Sequence, residues 1–413
     1  MSTIEKHDMT QGKILLPLVS FTIPLVLGNL FQLTYNAADS VIVGKYVGEQ
    51  ALAAVGTSTP IMNIAILLIS GMCMGASVLM SSQYGAKDYD TLSRQISTTM
   101  LAGCGFSVVF SLLMLLLANP VLRLIRVPET AIPEAAAYLR IIFMGLIFTF
   151  MYNFLANTMR ALGDSKTPLY FLVTSAFLNI FGDLFFVVVL RWGVAGSAIA
   201  TVCSEGLCCL LCGIYIKKKI PLLCLGKKWW VFDKSLLGKT VSYGSTSAMQ
   251  QVCLQLGKLI IQSVVNTQGV AVMAAFTAVN RVDDFAYTPQ QNIGHAMTTF
   301  LAQNKGAGHK ERMKKGFQTG LLIELVYSIG LFCVIWGLAP QIMTLFAEDG
   351  DAQVVSLGIS YLHLISWMYI LPGLTNGVQG FFRGIGDLKV TLYSTFMNMF
   401  GRVVAVFVMI RLL

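Results

Sequence analysis

The stretch Arg160-Ala-Leu-Gly-Asp-Ser-Lys-Thr-Pro-Leu-Tyr170 returns 223 residues later as Arg383-Gly-Ile-Gly-Asp-Leu-Lys-Val-Thr-Leu-Tyr393. Arg, Gly, Asp, Lys, Leu and Tyr stand in identical register. Two further matches lie upstream at an offset of 221. Gly48-Glu-Gln-Ala-Leu-Ala-Ala54 pairs with Gly269-Val-Ala-Val-Met-Ala-Ala275, and Gln83-Tyr-Gly-Ala86 with Asn304-Lys-Gly-Ala307. Three matches at nearly one spacing mark an internal duplication of about half the chain.

What is duplicated is a set of membrane spans. Hydrophobic residues make up 55% of the chain and charged residues 12%, about half the charged fraction of a soluble protein. The apolar residues lie in long blocks. Leu101 to Leu117 and Phe171 to Leu190 carry one carboxylate, Asp183, between them, and each approaches the ~20 residues that cross the hydrocarbon core. Apolar runs and their breaks predict eleven helices: 14–44, 51–82, 93–118, 133–159, 167–190, 193–216, 236–265, 269–301, 315–339, 352–381 and 388–413. The breaks fall at Ala118-Asn119-Pro120, Gly163-Asp164 and the acidic turn Glu348-Asp349-Gly350-Asp351. The first apolar stretch lacks a small-residue cleavage site and reads as a span, not a signal peptide.

The expected fold is therefore an all-α polytopic membrane protein. Residues 1–216 form a six-helix N-terminal lobe, 217–234 a linker, and 235–413 a C-terminal lobe. Six helices per repeat is an even number, so the two repeats run in the same direction, a parallel-repeat transporter architecture. The helix at 193–216 should recur near 416–439, past Leu413. The second lobe is thus expected to lack its last helix, which reads as truncation.

Basic residues orient the chain. Twenty of its 29 Lys and Arg fall on the N-terminal tail and one alternate set of loops, against six on the other side. That bias predicts a cytosolic N-terminus. It also accounts for the net charge of +9 without nucleic acid. The basic linker carries Trp229 and Trp230, read as headgroup anchors. Cys209 and Cys212 form a CxxC pair at lipid depth with no second pair nearby, which reads as packing and not as a metal or redox site. No catalytic constellation is expected.

At the repeated Arg160–Lys166 and Arg383–Lys389 loops, the chain resembles the multidrug and toxic compound extrusion (MATE) family. Further resemblance lies in Pro24 with Asp39, in Gln303-Asn304-Lys305-Gly306-Ala307-Gly308 and in Gly196-Ser-Ala-Ile-Ala-Thr201. It extends over essentially the whole chain. It implies two six-helix lobes, alternating access, and export of amphiphilic, often cationic compounds coupled to inward H+ or Na+. The fold superfamily also includes lipid-linked oligosaccharide flippases, the alternative reading, for which Lys258, Arg281 and Arg402 would be the positive groups.

Charged groups at membrane depth are costly and are functional candidates by default. Asp183 lies four residues after Asn179, on the same helix face; Ser197, Thr201, Ser204 and Glu205 make a polar stripe on the next span. By resemblance, Asp39, Asn179, Asp183 and Thr201 match the family's N-lobe cation site. Such a set either holds Na+ through hard oxygen ligands or shares protons as a coupled carboxyl pair. Gln32, Tyr35, Tyr138 and Asn153 match the polar cavity lining, and Glu205 and Asp283 join them as candidates. Glu205 departs from the neutral residue usual there. Pro24 is a candidate hinge in the first helix. In the C-terminal lobe, Arg281 and Asp284 are spaced to pair at i, i+3. The absence of an acid on the seventh and tenth spans favours coupling in the N-terminal lobe. The repeated Arg-x-x-Gly-Asp-x-Lys loops read as turns whose charges pair locally. The expected partners are a small amphiphilic solute and the lipid of the cell membrane, with the protein a monomer.

Overall fold

The computed structural model describes residues 8–125, 127–220, 230–346 and 352–412. Most of the linker (221–229, with Trp229) and the acidic turn 348–351 lie outside these residues; Trp230 is exposed.

Among the described residues thirteen α-helices make eleven helical runs. They are α1 (Leu15–Tyr46), α2 (Glu49–Gly85), α3 (Tyr89–Leu124), α4 (Ile132–Met144) with α5 (Leu146–Ala161), and α6 (Lys166–Asp183) extended by a π-helical turn (Leu184–Val189). There follow α7 (Gly193–Lys219), α8 (Lys234–Val265), α9 (Val270–Gly306), α10 (Lys310–Phe346), α11 (Ala352–Ser366) leading into α12 (Ile370–Gly384), and α13 (Leu388–Leu412). Among the described residues eight helices are long and apolar enough to cross a membrane, and nine if the α4–α5 pair, bent by 47°, is one span. The remaining two, α8 and α9, are diluted by Lys258, Arg281, Asp283, Asp284 and the Gln290-Gln291-Asn292 run.

The duplication seen in sequence is also a duplication of backbone geometry. α2 and α9 have the same length, 37 residues. Each is preceded by a glycine with positive φ, Gly48 at 118° and Gly269 at 97°. Gly163 and Gly386, in the two copies of the repeated loop, have φ of 89° and 84°, a conformation that glycine adopts without a Cβ penalty. Carboxylates outside the spans fix helix starts. Asp88 accepts from Thr91 N at 3.1 Å at the start of α3, and Asp233 accepts from Ser235 N at 2.9 Å at the start of α8. These are N-cap bonds to otherwise orphaned amides.

The chain divides into two compact units. One contains Met1–Asp8 and Leu27–Met249, the other Met9–Val26 and Gln250–Leu413. The division falls inside α1 and α8, not in the loop between repeats. In the first unit the largest core gathers α2 to α5 around Phe143, Phe154, Leu139 and Met159. Here α2 and the start of α8 approach to backbone contact: a Cβ on Gly71 would stand 2.5 Å from Ala248 Cα. Such small-residue contacts drive helix association in lipid, where burial of apolar surface supplies no net force. The outward face of α3 exposes Val109, Leu112, Leu113 and Leu116, a surface suited to lipid.

In the second unit the segment before α1 is held by Arg312, whose guanidinium donates to the carbonyls of Met9, Gln11 and Gly12. Two pairings differ from those expected of the sequence. Asp284 pairs with Lys258 of α8 at 3.2 Å, not with Arg281. The helical spacing permits the i, i+3 pair, but the α8 ammonium reaches the same carboxylate. In the first repeated loop, Asp164 turns to its own helix start, accepting from Lys166 N and Thr167 N. In the second, Arg383 is buried and its Nη1 lies 3.2 Å from His295 Nδ1.

Candidate functional site

Three helices of the first unit meet at one carboxyl pair. Asp183 ends the regular part of α6, just before the π-helical turn Leu184–Val189. Such wide turns concentrate at functional sites. Here small residues allow α6 and α7 to close: a Cβ on Gly182 would lie 3.0 Å from Ala200 Cβ, and one on Gly196 would lie 3.1 Å from the Phe186 backbone. Asp183 is wholly buried, and Asn179, one turn earlier, nearly so. Asp39 of α1 comes within hydrogen-bonding reach of the Asp183 carboxyl. Ser197 on α7, also fully buried, donates its hydroxyl to Asp39 Oδ1 at 2.7 Å. Asn179 Nδ2 donates to Thr201 Oγ1 at 3.2 Å, and Thr201 donates to Ser197 O.

The oxygens left over define the chemistry. Among the described residues no N–H or O–H donor makes a hydrogen bond of good geometry to either oxygen of Asp183 or to Asn179 Oδ1. Three buried acceptors on neighbouring turns of α6 thus lie near a second carboxyl. A buried acceptor without a donor costs about 1–3 kcal/mol and more when charged. A proton shared between the carboxyls would supply the missing donor, and a small hard cation would be bound by the same oxygens.

A second polar group adjoins this one. Thr149 of α5 donates to Glu205 Oε2 of α7 at 2.5 Å, and Asn153 Nδ2 donates to Thr149 O at 2.8 Å. Tyr35 lies close enough to Glu205 and Asp39 to feel both charges, and bonds to Gln32. Tyr138 is buried among Asp39, Asp183, Tyr35 and Glu205. The structure therefore gathers Asp39, Asn179, Asp183 and Thr201, with Gln32, Tyr35, Tyr138, Asn153 and Glu205, in the first unit. Asp283 is not among them. It lies in the second unit, where Tyr369 donates its hydroxyl to the Asp283 carboxylate. Pro24 sits inside α1, two residues before the division at Val26.

The family model MatE matches residues 24–185 and again residues 247–408. The chain belongs to the MatE family. The two matches are themselves 223 residues apart, the spacing of the repeated loops. This is a family of multidrug efflux transporters, multi-pass proteins that handle small molecules in the membrane. The MatE chain is 32% identical over 392 residues to the probable multidrug resistance protein YpnP of Bacillus subtilis, covering 94% of this chain and 86% of that one. It is 29% identical to the probable multidrug resistance protein YoeA of Bacillus subtilis over 390 residues, with 92% and 83% covered. Among solved structures it is similar to a MOP superfamily transporter from Pyrococcus furiosus described by the reverse polarity of its binding pocket. The TM-score is 0.89 at 23% identity, with 97% and 89% of the chains covered. That likeness carries the fold.

The second unit of this MatE protein holds a buried acid that the sequence shows among the ionisable groups of that lobe without giving it a role. Glu324 on α10 has no exposed surface, and neither of its carboxyl oxygens has a hydrogen-bond partner. Its signal was available: it is the acid within Leu321-Leu322-Ile323-Glu324-Leu325-Val326, an otherwise apolar run. The same unit has a separate polar cavity lined by Gln250, Tyr287, His295, Gln379, Arg383 and Arg402, among others.

Proposed function

We propose that this MatE protein is a secondary antiporter. It exports amphiphilic, often cationic, drugs or metabolites in exchange for H+ or Na+, with the Asp39–Asp183 pair of the first unit as coupling site. The single observation that carries the reading is that pair: two carboxyls in contact, one of them fully buried with no donor. Its ionisation state cannot change without a proton or cation entering or leaving. A ligand shifts a two-state equilibrium only by its differential affinity for the two states. Proton or cation entry at Asp39 and Asp183 favours the arrangement of α1, α6 and α7 seen here, in which the site is closed around its oxygens. Loss of that charge compensation favours another arrangement, in which water reaches the carboxylates. Pro24 supports a hinge role, since it removes a backbone donor from α1 just before the helix passes from one unit to the other.

The names of the Bacillus subtilis relatives, both probable multidrug resistance proteins, support a drug-like substrate class. Tyr35 and Tyr138 beside carboxylates suit an aromatic cation. The lysine-rich side of the membrane supports a cytosolic N-terminus, and the chain acts as a monomer. The flippase alternative loses one of its three positive groups, because Lys258 is matched by Asp284.

The test is efflux of a fluorescent organic cation from proteoliposomes containing the purified chain, with ΔpH and ΔNa+ imposed separately. Efflux that follows one of the two gradients supports the reading and names the ion. Efflux that follows neither overturns it.

A further inference from the structure

We propose that the second unit carries a proton-binding site of its own, the carboxyl of Glu324 on α10, which is closed and protonated in the arrangement seen here. This goes beyond the antiport reading and uses none of the residues that reading assigns to coupling.

Glu324 is enclosed by two interrupted helices. On one side is α9, broken in its sequence by Pro289 and followed at once by Gln290, which has no exposed surface. On the other is the 3-10 turn Trp367–Tyr369 at the start of α12. Gln290 Nε2 donates to Ser328 Oγ at 3.0 Å and to Tyr369 O at 2.8 Å, satisfying backbone freed by the turn. Ser328 Oγ donates to Glu324 O at 2.7 Å. The network therefore uses up its donors on carbonyls and on one hydroxyl. What it leaves over is a set of acceptors: both oxygens of Glu324 and Oε1 of Gln290.

These groups converge on Gly373 of α12. A Cβ there would lie 2.7 Å from Ser328 Oγ, 3.2 Å from Gln290 Nε2 and 3.4 Å from Glu324 Oε2. One turn on, a Cβ on Gly377 would lie 3.8 Å from Glu324 Cγ. A side chain at Gly373 would press on the Ser328 hydroxyl beside the carboxyl, and one at Gly377 on Leu321, so the two glycines let α12 lie close over α10 here.

Among the described residues no counter-charge reaches it. On α9, Asp284 is taken by Lys258 and Asp283 by Tyr369; His295 contacts Arg383 of α12. Arg281 is two and a half turns before Gln290 on that helix, and Lys305 four turns after it. From α11, His363 stacks on Trp336, and Tyr361 on Phe276. On α10 itself the Tyr327 phenol is near enough to feel the Glu324 charge, and it donates to Ala286 O at 3.0 Å. Tyr287 of α9 lines the separate polar cavity.

An ionised carboxylate in that place, with three acceptors and no donor, is not tenable in a water-free membrane interior. Protonation resolves it: one carboxylate oxygen takes a proton delivered by water, an O–H bond forms, and the group becomes a donor as well as an acceptor. Release of the proton demands water between α10 and α12, hence separation of the helices at Gly373 and Gly377. Glu324 is in this way a proton-dependent latch of the second unit. A Na+ site is the poorer fit, since the spare oxygens come from two side chains only.

The test is infrared difference spectroscopy of the full chain in lipid, following the protonated carboxyl C=O band during a pH titration. Labelling all glutamates with 13C in the wild-type protein moves the band if it belongs to a glutamate and leaves it if it belongs to Asp39 or Asp183. Loss of one labelled band in Glu324→Gln assigns it. A shift of its titration midpoint in Gly373→Ala, with Glu324 intact, ties it to the α10–α12 contact. The proposal is overturned by a glutamate band unchanged in Glu324→Gln, by Glu324 ionised at neutral pH, or by loss of the band on adding Na+ at constant pH. None of these results depends on transport, so antiport and latch stand or fall separately.

Discussion

Ser197 on α7 donates its hydroxyl to Asp39 on α1 at 2.7 Å, joining residues 158 positions apart. This bond holds the first helix against the Asp183 face and fixes which oxygen of Asp39 remains for a proton or cation. A hydrogen bond to a charged acceptor is worth about 1.5–3 kcal/mol. Ser197→Ala removes a donor that favours the charged carboxylate and is therefore expected to lower the proton concentration for half-maximal efflux by about tenfold or more. Expression and the maximal rate should change little. A titration of efflux against pH in proteoliposomes reads this, and an unchanged midpoint would count against the role of the bond.

Close helix contact gives a stability prediction with an internal control. Gly71→Ala forces a Cβ to within 2.5 Å of Ala248 Cα and should destabilise the chain by about 1–3 kcal/mol. Gly105 on α3 has nothing within 4 Å of its Cβ position, so Gly105→Ala should be neutral or slightly stabilising. Thermal unfolding in detergent compares the two. Equal effects would show that the α2–α8 approach is looser than described.

Arg312 binds three carbonyls of the segment before α1 through Nε, Nη1 and Nη2. Only a planar fork reaches them all, so Arg312→Lys should fail as Arg312→Ala does. Both variants are expected to speed hydrogen exchange across residues 9–14, while exchange in α2 to α7 stays at the wild-type rate. Full protection in Arg312→Lys would mean that charge alone suffices.

Asp88 supplies a pH-dependent contribution outside the spans. The Thr91 hydrogen bonds hold its carboxyl below the usual carboxylate range. A group whose pKa is lowered in the folded state stabilises above its unfolded pKa, and that contribution is lost as pH falls through the folded value. Asp88→Ala should cost about 1 kcal/mol at neutral pH and Asp88→Asn much less, with the gap between Asp88→Ala and wild type narrowing in acid. Unfolding midpoints at neutral and acidic pH check the sign.

Much of this was legible in the sequence because membranes simplify the reading. Long apolar runs and glycine or charge breaks located the helical runs, eight or nine of them apolar enough to span among the described residues, and the repeated loops located the duplication that the family match and the paired glycine torsions also display. Asn179 with Asp183 on α6, and Ser197, Thr201 and Glu205 on α7, share helix faces by their spacing, but that α1 brings Asp39 to them is a matter of helix packing that spacing does not give. Partner choice was not legible. Spacing offered Arg281 to Asp284, but Lys258 lies on another helix, and sequence distance says nothing about which arrives. The π-helical turn after Asp183 leaves no mark in an apolar run such as Leu184–Val189. Glu324 was visible as an acid in a span, yet its isolation depends on Gln290, Ser328 and Tyr369 from three separate elements.

If the Asp39–Asp183 pair couples ion movement to solute movement, Asp183→Asn uncouples them. The measurement compares gradient-driven efflux with solute exchange at zero gradient in the same proteoliposomes. The variant is expected to retain exchange and lose uphill efflux, because the surrounding polar groups remain while the titratable pair is gone. Uphill efflux at the wild-type rate in Asp183→Asn would contradict the account.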